Sequence, residues 1–160
     1  MKLEIAIDVV YINKEAFLHS VDRRIRCLNI VVLETRAKGR GYNKEILAKG
    51  IDIILRFYNR SDVTITKIHA DNEFKSVLEE LTADWSVEFN FAHPGEHVPD
   101  IERENRTLQD RFRVNLYRLP FMIIPRTMIR YLALWITKNG SLFPRKSGLS
   151  KHYSPYLIIK

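Results

Sequence analysis

The chain opens on a run of apolar and β-branched residues from Leu3 to Ile12. Such a run predicts a buried strand, and Asp8 interrupts its middle. A charged group at mid-strand costs free energy unless it is paired, exposed or holding a metal ion. Any fold for this chain must bury the strand and still accommodate that carboxylate.

The next segments read as a meander. Asn13-Lys14-Glu15 predicts a hairpin turn, Ala16 to Asp22 a second strand and Cys27 to Leu33 a third. Short connections between them favour antiparallel pairing. Thr35 to Gly41 is a polar loop in which Lys38 and Arg40 are candidate phosphate contacts, or simply parts of a solvated turn. Asn43 can cap a helix running to about Tyr58, with Ile46, Leu47, Ile51, Ile54, Leu55 and Tyr58 as its apolar stripe. Asn59-Arg60-Ser61-Asp62 breaks it. Val63 to His69 predicts a fourth strand ending at Ala70-Asp71. The intervening helix permits a crossover and parallel pairing with the first strand. A helix from about Phe74 to Leu81, a short strand from Val87 to Phe91 and a loop from His93 to Pro99 come next.

Pro99 suits the first turn of a helix, where its missing N–H would be unpaired anyway. Beyond it, Ile101, Leu108 and Phe112 fall on one side, and Glu102, Arg106 and Gln109 share another. Further on, Met122 to Lys138 predicts another helix with Met128, Tyr131, Leu132, Trp135 and Ile136 on its inner side. The tail from Ser141 to Lys160 reads as irregular. Alone, this order of elements fits several α/β folds.

The apolar fraction of 46% is that of a globular protein, and the length fits one domain with a real core. No apolar run reaches membrane-spanning length. A formal charge of +7 favours polyanionic partners, nucleic acid above all. Cys27 is the only cysteine, so no disulfide framework exists, and a buried inert thiol is expected. His93 and His97 have zinc-like spacing, but no Cys pair accompanies them. Gly-x-Ser-x-Gly elbows and Walker-type phosphate loops are absent.

Read singly, the acidic candidates have ordinary explanations. Asp8 can be an exposed strand carboxylate, Asp71 a helix cap, and Glu102 a first-turn glutamate complementing the helix dipole. Arg106 and Gln109 can be a solvated helix surface. Together they carry more. Asp100-Ile101-Glu102-Arg103-Glu104-Asn105-Arg106-Thr107-Leu108, with Asp71-Asn72-Glu73-Phe74 upstream, resembles the integrase catalytic core of retrotransposons, copia-type elements in particular. The resemblance runs from Asp8 to about Ser154-Pro155.

That resemblance implies a ribonuclease-H-like α/β fold, a five-stranded mixed sheet with helices on both faces. Residues 1–118 would form the catalytic core and 119–160 continue it. Asp8, Asp71 and Glu102 would be catalytic and would hold two Mg2+ or Mn2+ ions, Asp8 bridging both. Two such ions about 4 Å apart can activate an oxygen nucleophile and stabilise the departing oxygen. Arg106, Gln109 and Arg103 would meet nucleic acid, with Lys38 and Arg40 as further contacts. The implied reaction joins element DNA 3′ ends to target DNA, in the nucleus, by a homo-oligomer. The abrupt ends suggest a segment of something longer, with other integrase domains expected outside this chain. Two other readings are a decayed integrase fold that binds nucleic acid or protein, and a metal-dependent nuclease on the same fold.

Overall fold

A computed structural model describes residues 1–34, 42–75, 77, 85–92 and 98–160. The strands are β1 (Lys2–Ile12), β2 (Glu15–Asp22), β3 (Leu28–Leu33), β4 (Thr64–Ala70) and β5 (Glu88–Phe91). Helices α1 (Lys44–Asn59), α2 (Pro99–Tyr117), α3 (Arg126–Ser141) and α4 (Pro155–Ile159) accompany them, with a 3-10 turn at Asn72–Phe74. The strands form one sheet in the order β3-β2-β1-β4-β5. β1 pairs antiparallel with β2 and parallel with β4, and β5 extends the parallel side. β1 is therefore central, which explains its apolar composition on both faces.

Alternation along β1 separates two cores. Leu3, Ile5 and Ile7 face α1, meeting Leu47, Ile51, Ile54, Leu55 and Tyr58. Val10 and Ile12 face the other way, toward Leu108 and Phe112 of α2 and Ile129, Ala133 and Ile136 of α3. The period of two along a strand makes this division, and Asp8 falls on the α2 side. The β1–β2 hairpin turns at Asn13 and Lys14, both with positive φ (50° and 69°), the geometry of a primed turn. As expected, Asn43 caps α1, its side chain accepting from the Ile46 N–H at 2.9 Å.

Two expectations need correction. On α3, the buried stripe is Ile129, Ala133, Ile136, Thr137 and Gly140, whereas Tyr131 and Trp135 are 68% and 56% exposed. Bulk misled the reading: α3 approaches the sheet through its small residues, and a Cβ on Gly140 would stand 3.0 Å from Leu28 Cδ1. The tail is not wholly irregular. Ser154 caps the short helix α4 with Pro155 in its first turn, and Ile159 returns to the α1-side core. The expected loop contacts Lys38 and Arg40, the histidines His93 and His97, and most of the helix expected over 74–81 lie outside the described residues. Among the described residues no helix is long and apolar enough to cross a membrane.

Candidate active site

The pairing of β1 with β4 runs parallel and ends at Ala6↔His69. Two residues further along the chain from that pair stand Asp8, still within β1, and Asp71, just past the end of β4. The register thus brings these two carboxylates level at the carboxyl end of β4, where open α/β sheets place their ligand sites. Asp71 keeps extended backbone, and its side chain makes no cap hydrogen bond to the 3-10 turn that follows.

Asp8 is half-buried, and its Oδ1 accepts from the Val9 N–H at 2.8 Å. Burial raises its carboxyl to about 6, and the negative charges of Asp71 and Glu73 push in the same direction. Glu73 is likewise raised, by burial first and then by Asp71. Tyr42, just ahead of α1, is pushed up to about 12 by burial and next by Glu73. Three acidic groups, one from the middle of β1 and two just beyond the end of β4, therefore repel one another.

Helix α2 crosses this site lengthwise. Ile101 packs with Ala6 and Val21, and Gln109 Nε2 donates to the Tyr11 carbonyl at 3.3 Å, so the helix runs in the direction of β1. Between those contacts, Asn105 Nδ2 donates to Asp8 Oδ2 at 2.6 Å. The other end of the amide, Oδ1, lies 2.7 Å from His19 Nδ1 on the neighbouring strand. Since the amide nitrogen is committed to Asp8, Oδ1 must accept, and His19 carries its proton on Nδ1. Full burial lowers the His19 pKa and keeps the ring neutral.

Glu102 lies one turn before Asn105 and about 60° round the helix axis from it, on the Gln109 side. Its side chain is exposed, as is that of Arg106. Arg103 is exposed on the outer face of α2. Glu104 turns to the opposite flank, about 100° from Asn105. There it is buried and bonded to Arg26 at 3.0 Å and Arg145 at 2.6 Å. Asp100 pairs with Arg23 and Arg26, each at 2.9 Å. Neither of these neighbours competes with Glu102 for the site.

The structure thus brings Asp8 and Asp71 together and leaves Glu102 exposed on the adjacent helix. Among the described residues no three His, Cys, Asp or Glu side chains stand close enough to hold one metal ion. The donor chemistry nevertheless fits a hard divalent cation. Among the described residues, the ionised groups that meet here are the carboxylates of Asp8, Asp71 and Glu73, and their mutual repulsion is what a doubly charged ion relieves. Magnesium keeps several waters, so one or two carboxylates suffice as its protein ligands. Cys27 is not involved: it is buried on the α1 side, its thiol pushed up to about 11 by burial.

Sequence reasoning missed Asn105, Glu73 and Tyr42. A signal existed for Asn105. It falls in the buried stripe of α2 with Ile101, Leu108 and Phe112, and a polar side chain there must find a partner. Glu73 stands two residues past Asp71 and reaches the site through the 3-10 turn that follows it, whereas Tyr42 comes from a distant segment of the chain.

No protein-family model matches this chain, and no curated protein matches it. Among solved structures, the crystal structure of the catalytic core domain of BIV integrase is similar, with a TM-score of 0.62 and 16% sequence identity. The match covers 98% of this chain and 92% of that one. At that identity the likeness is one of fold. The five-stranded mixed sheet with helices on both faces is the ribonuclease-H-like fold of an integrase core.

Proposed function

We propose that this chain is the core of an integrase-type polynucleotidyl transferase, joining the DNA 3′ ends of a copia-type retroelement to target DNA. The observation that carries the reading is the register of β1 and β4, which sets Asp8 level with Asp71 beside a helix bearing Glu102. Residues 1–118 carry the reaction, and residues 119–160 complete the packing around it. The enzyme acts on chromosomal DNA in the nucleus and as a homo-oligomer.

Asp8 and Asp71 would hold one divalent cation, and Asp8 with Glu102 a second. Mg2+ or Mn2+ bound there would supply positive charge beside the attacking and departing oxygens of an in-line displacement. The element 3′-oxygen forms a bond to a target phosphorus as its proton passes to water, and the opposite P–O bond breaks, its oxygen taking a proton from water to leave as a target 3′-hydroxyl. Asn105 fixes the angle at which Asp8 presents its carboxylate. Arg106 and Arg103 meet the phosphate backbone, and Gln109, anchored on Tyr11, borders the strand. Lys38 and Arg40 add backbone contacts.

A strand-transfer assay with labelled element-end duplexes and Mn2+ tests this reading, with Glu102→Gln as the control. Joined products from the wild type and none from the variant are expected. Joining that survives Glu102→Gln overturns it. Short released products without joining indicate a nuclease on the same fold, and DNA binding without either product a non-catalytic module.

A further inference from the structure

A second cluster of charge lies on the other flank of α2, away from Asp8. Arg111 Nη1 and Arg145 Nη2 stand 3.5 and 3.3 Å from the point where a Cβ on Gly140 would be. Two guanidinium nitrogens therefore share the small space that this glycine leaves open. Arg145 is rigidly held: Nη1 donates to Glu104 at 2.6 Å and Nε to the Gly140 carbonyl at 3.2 Å. Its one carboxylate partner is already shared with Arg26. Arg111 is exposed and has no acidic partner among the described residues. Lys146 and Arg103 line the same open cavity of about 310 Å³. Four cations thus border one concavity whose only acidic group is committed to buried ion pairs.

Like charges this close repel unless an anion neutralises them. Guanidinium forks match a phosphate group in geometry as well as charge. The concavity is open rather than enclosed, and it continues along the exposed, arginine-bearing face of α2 on a chain of net charge +7. A strand carrying successive phosphates fits that surface better than a single small anion. The geometry points to a phosphodiester-binding site at Arg111, Arg145 and Lys146, which holds the backbone of a nucleic-acid strand on the flank of α2 opposite Gln109. This inference rests on the DNA-binding part of the proposed function and not on its chemistry.

Fluorescence anisotropy of the full chain with labelled duplex DNA, without divalent metal and from 50 to 200 mM salt (about a fourfold range), tests it. Arg111→Ala and Lys146→Ala should each weaken binding by about 3- to 10-fold. Each should also reduce the slope of log K against log salt by about one. Arg60→Ala removes the same charge at the end of α1, on the other side of the sheet, and should change neither quantity. If Arg111→Ala and Lys146→Ala match Arg60→Ala, the site is not a nucleic-acid contact. The inference is then overturned even if inorganic phosphate raises the melting temperature of the wild type and not of Arg111→Ala, which would mark a free-anion site. A chain that does not bind DNA overturns the inference and the proposed function together. A chain that binds through Arg111 but joins no strands leaves the inference standing while the catalytic reading fails.

Discussion

Asn105 and Asp8 are separated by 97 positions in the chain, yet their side chains meet at 2.6 Å. That bond ties the middle of α2 to the middle of β1. The amide cannot rotate away, because His19 holds its other end at 2.7 Å from within the core. The carboxylate at the centre of the site therefore takes its orientation from a neutral histidine on β2.

Asn105→Ala should destabilise the protein by about 2–4 kcal/mol. It strips a buried His19 of its acceptor and Asp8 of a donor, and each loss costs about 1–3 kcal/mol. His19→Leu, which orphans only the Asn105 oxygen, should cost less. Urea denaturation of the three proteins measures both. A loss under about 0.5 kcal/mol for Asn105→Ala would mean that solvent already reaches this bond.

The titration of Asp8 carries a defined sign. Its carboxyl is raised to about 6 in the folded chain, against about 3.9 when unfolded. Between those values the folded state binds the proton more tightly, so the contribution of Asp8 to stability falls as pH rises through this window and is flat above it. The difference in unfolding free energy between wild type and Asp8→Asn should accordingly shrink by on the order of 2 kcal/mol from pH 4 to pH 7. Millimolar Mn2+ should restore part of that loss at pH 7.5 and nothing at pH 4, where a proton occupies the site. Melting curves with and without the cation decide it, and an equal Mn2+ effect at both pH values contradicts the assignment.

Glu104 is a structural carboxylate. It is 6% exposed and accepts from both Arg26 and Arg145. Glu104→Ala leaves two guanidinium groups without that charge and should cost about 3–5 kcal/mol. In contrast, Glu102→Gln, at an exposed position, should leave stability within about 0.5 kcal/mol. Calorimetric melting separates the two. A stable Glu104→Ala protein would show that water takes over the ion pairs.

The β1–β2 turn offers a stabilising change. Lys14 holds φ at 69°, a conformation that glycine adopts without a Cβ penalty. Lys14→Gly creates the Asn-Gly pair preferred in primed two-residue turns and should gain about 0.5 kcal/mol. Denaturation midpoints at constant slope check the gain, and a loss would mean that the lysine side chain contributes contacts to the hairpin.

Much of the architecture was legible because it depends on local periodicity and capping. The β-branched run of β1, the meander through β3, the Asn43 cap and the two faces of α2 all follow from residues within a few positions of one another. The reading of α3 failed because Trp135 and Tyr131 are bulky but outward, while Gly140 and Ala133 make the contact. Which of two plausible stripes is buried depends on how closely a helix can approach its sheet, and that is a property of the partner. Ser154-Pro155 did carry a helix-start signal, passed over in a segment punctuated by prolines and glycine.

The sequence alone determined the strands, the longer helices and the residue types able to serve a phosphodiester chemistry, because hydrophobic period and turn propensity act over short range. Only the tertiary structure decided that Asp8 stands level with Asp71, that Asn105 rather than Glu102 touches Asp8, and that Arg111 meets Arg145 across Gly140. Each of those contacts joins segments far apart in the chain. Each depends on a strand register or a helix packing distance, which is set when the whole core closes.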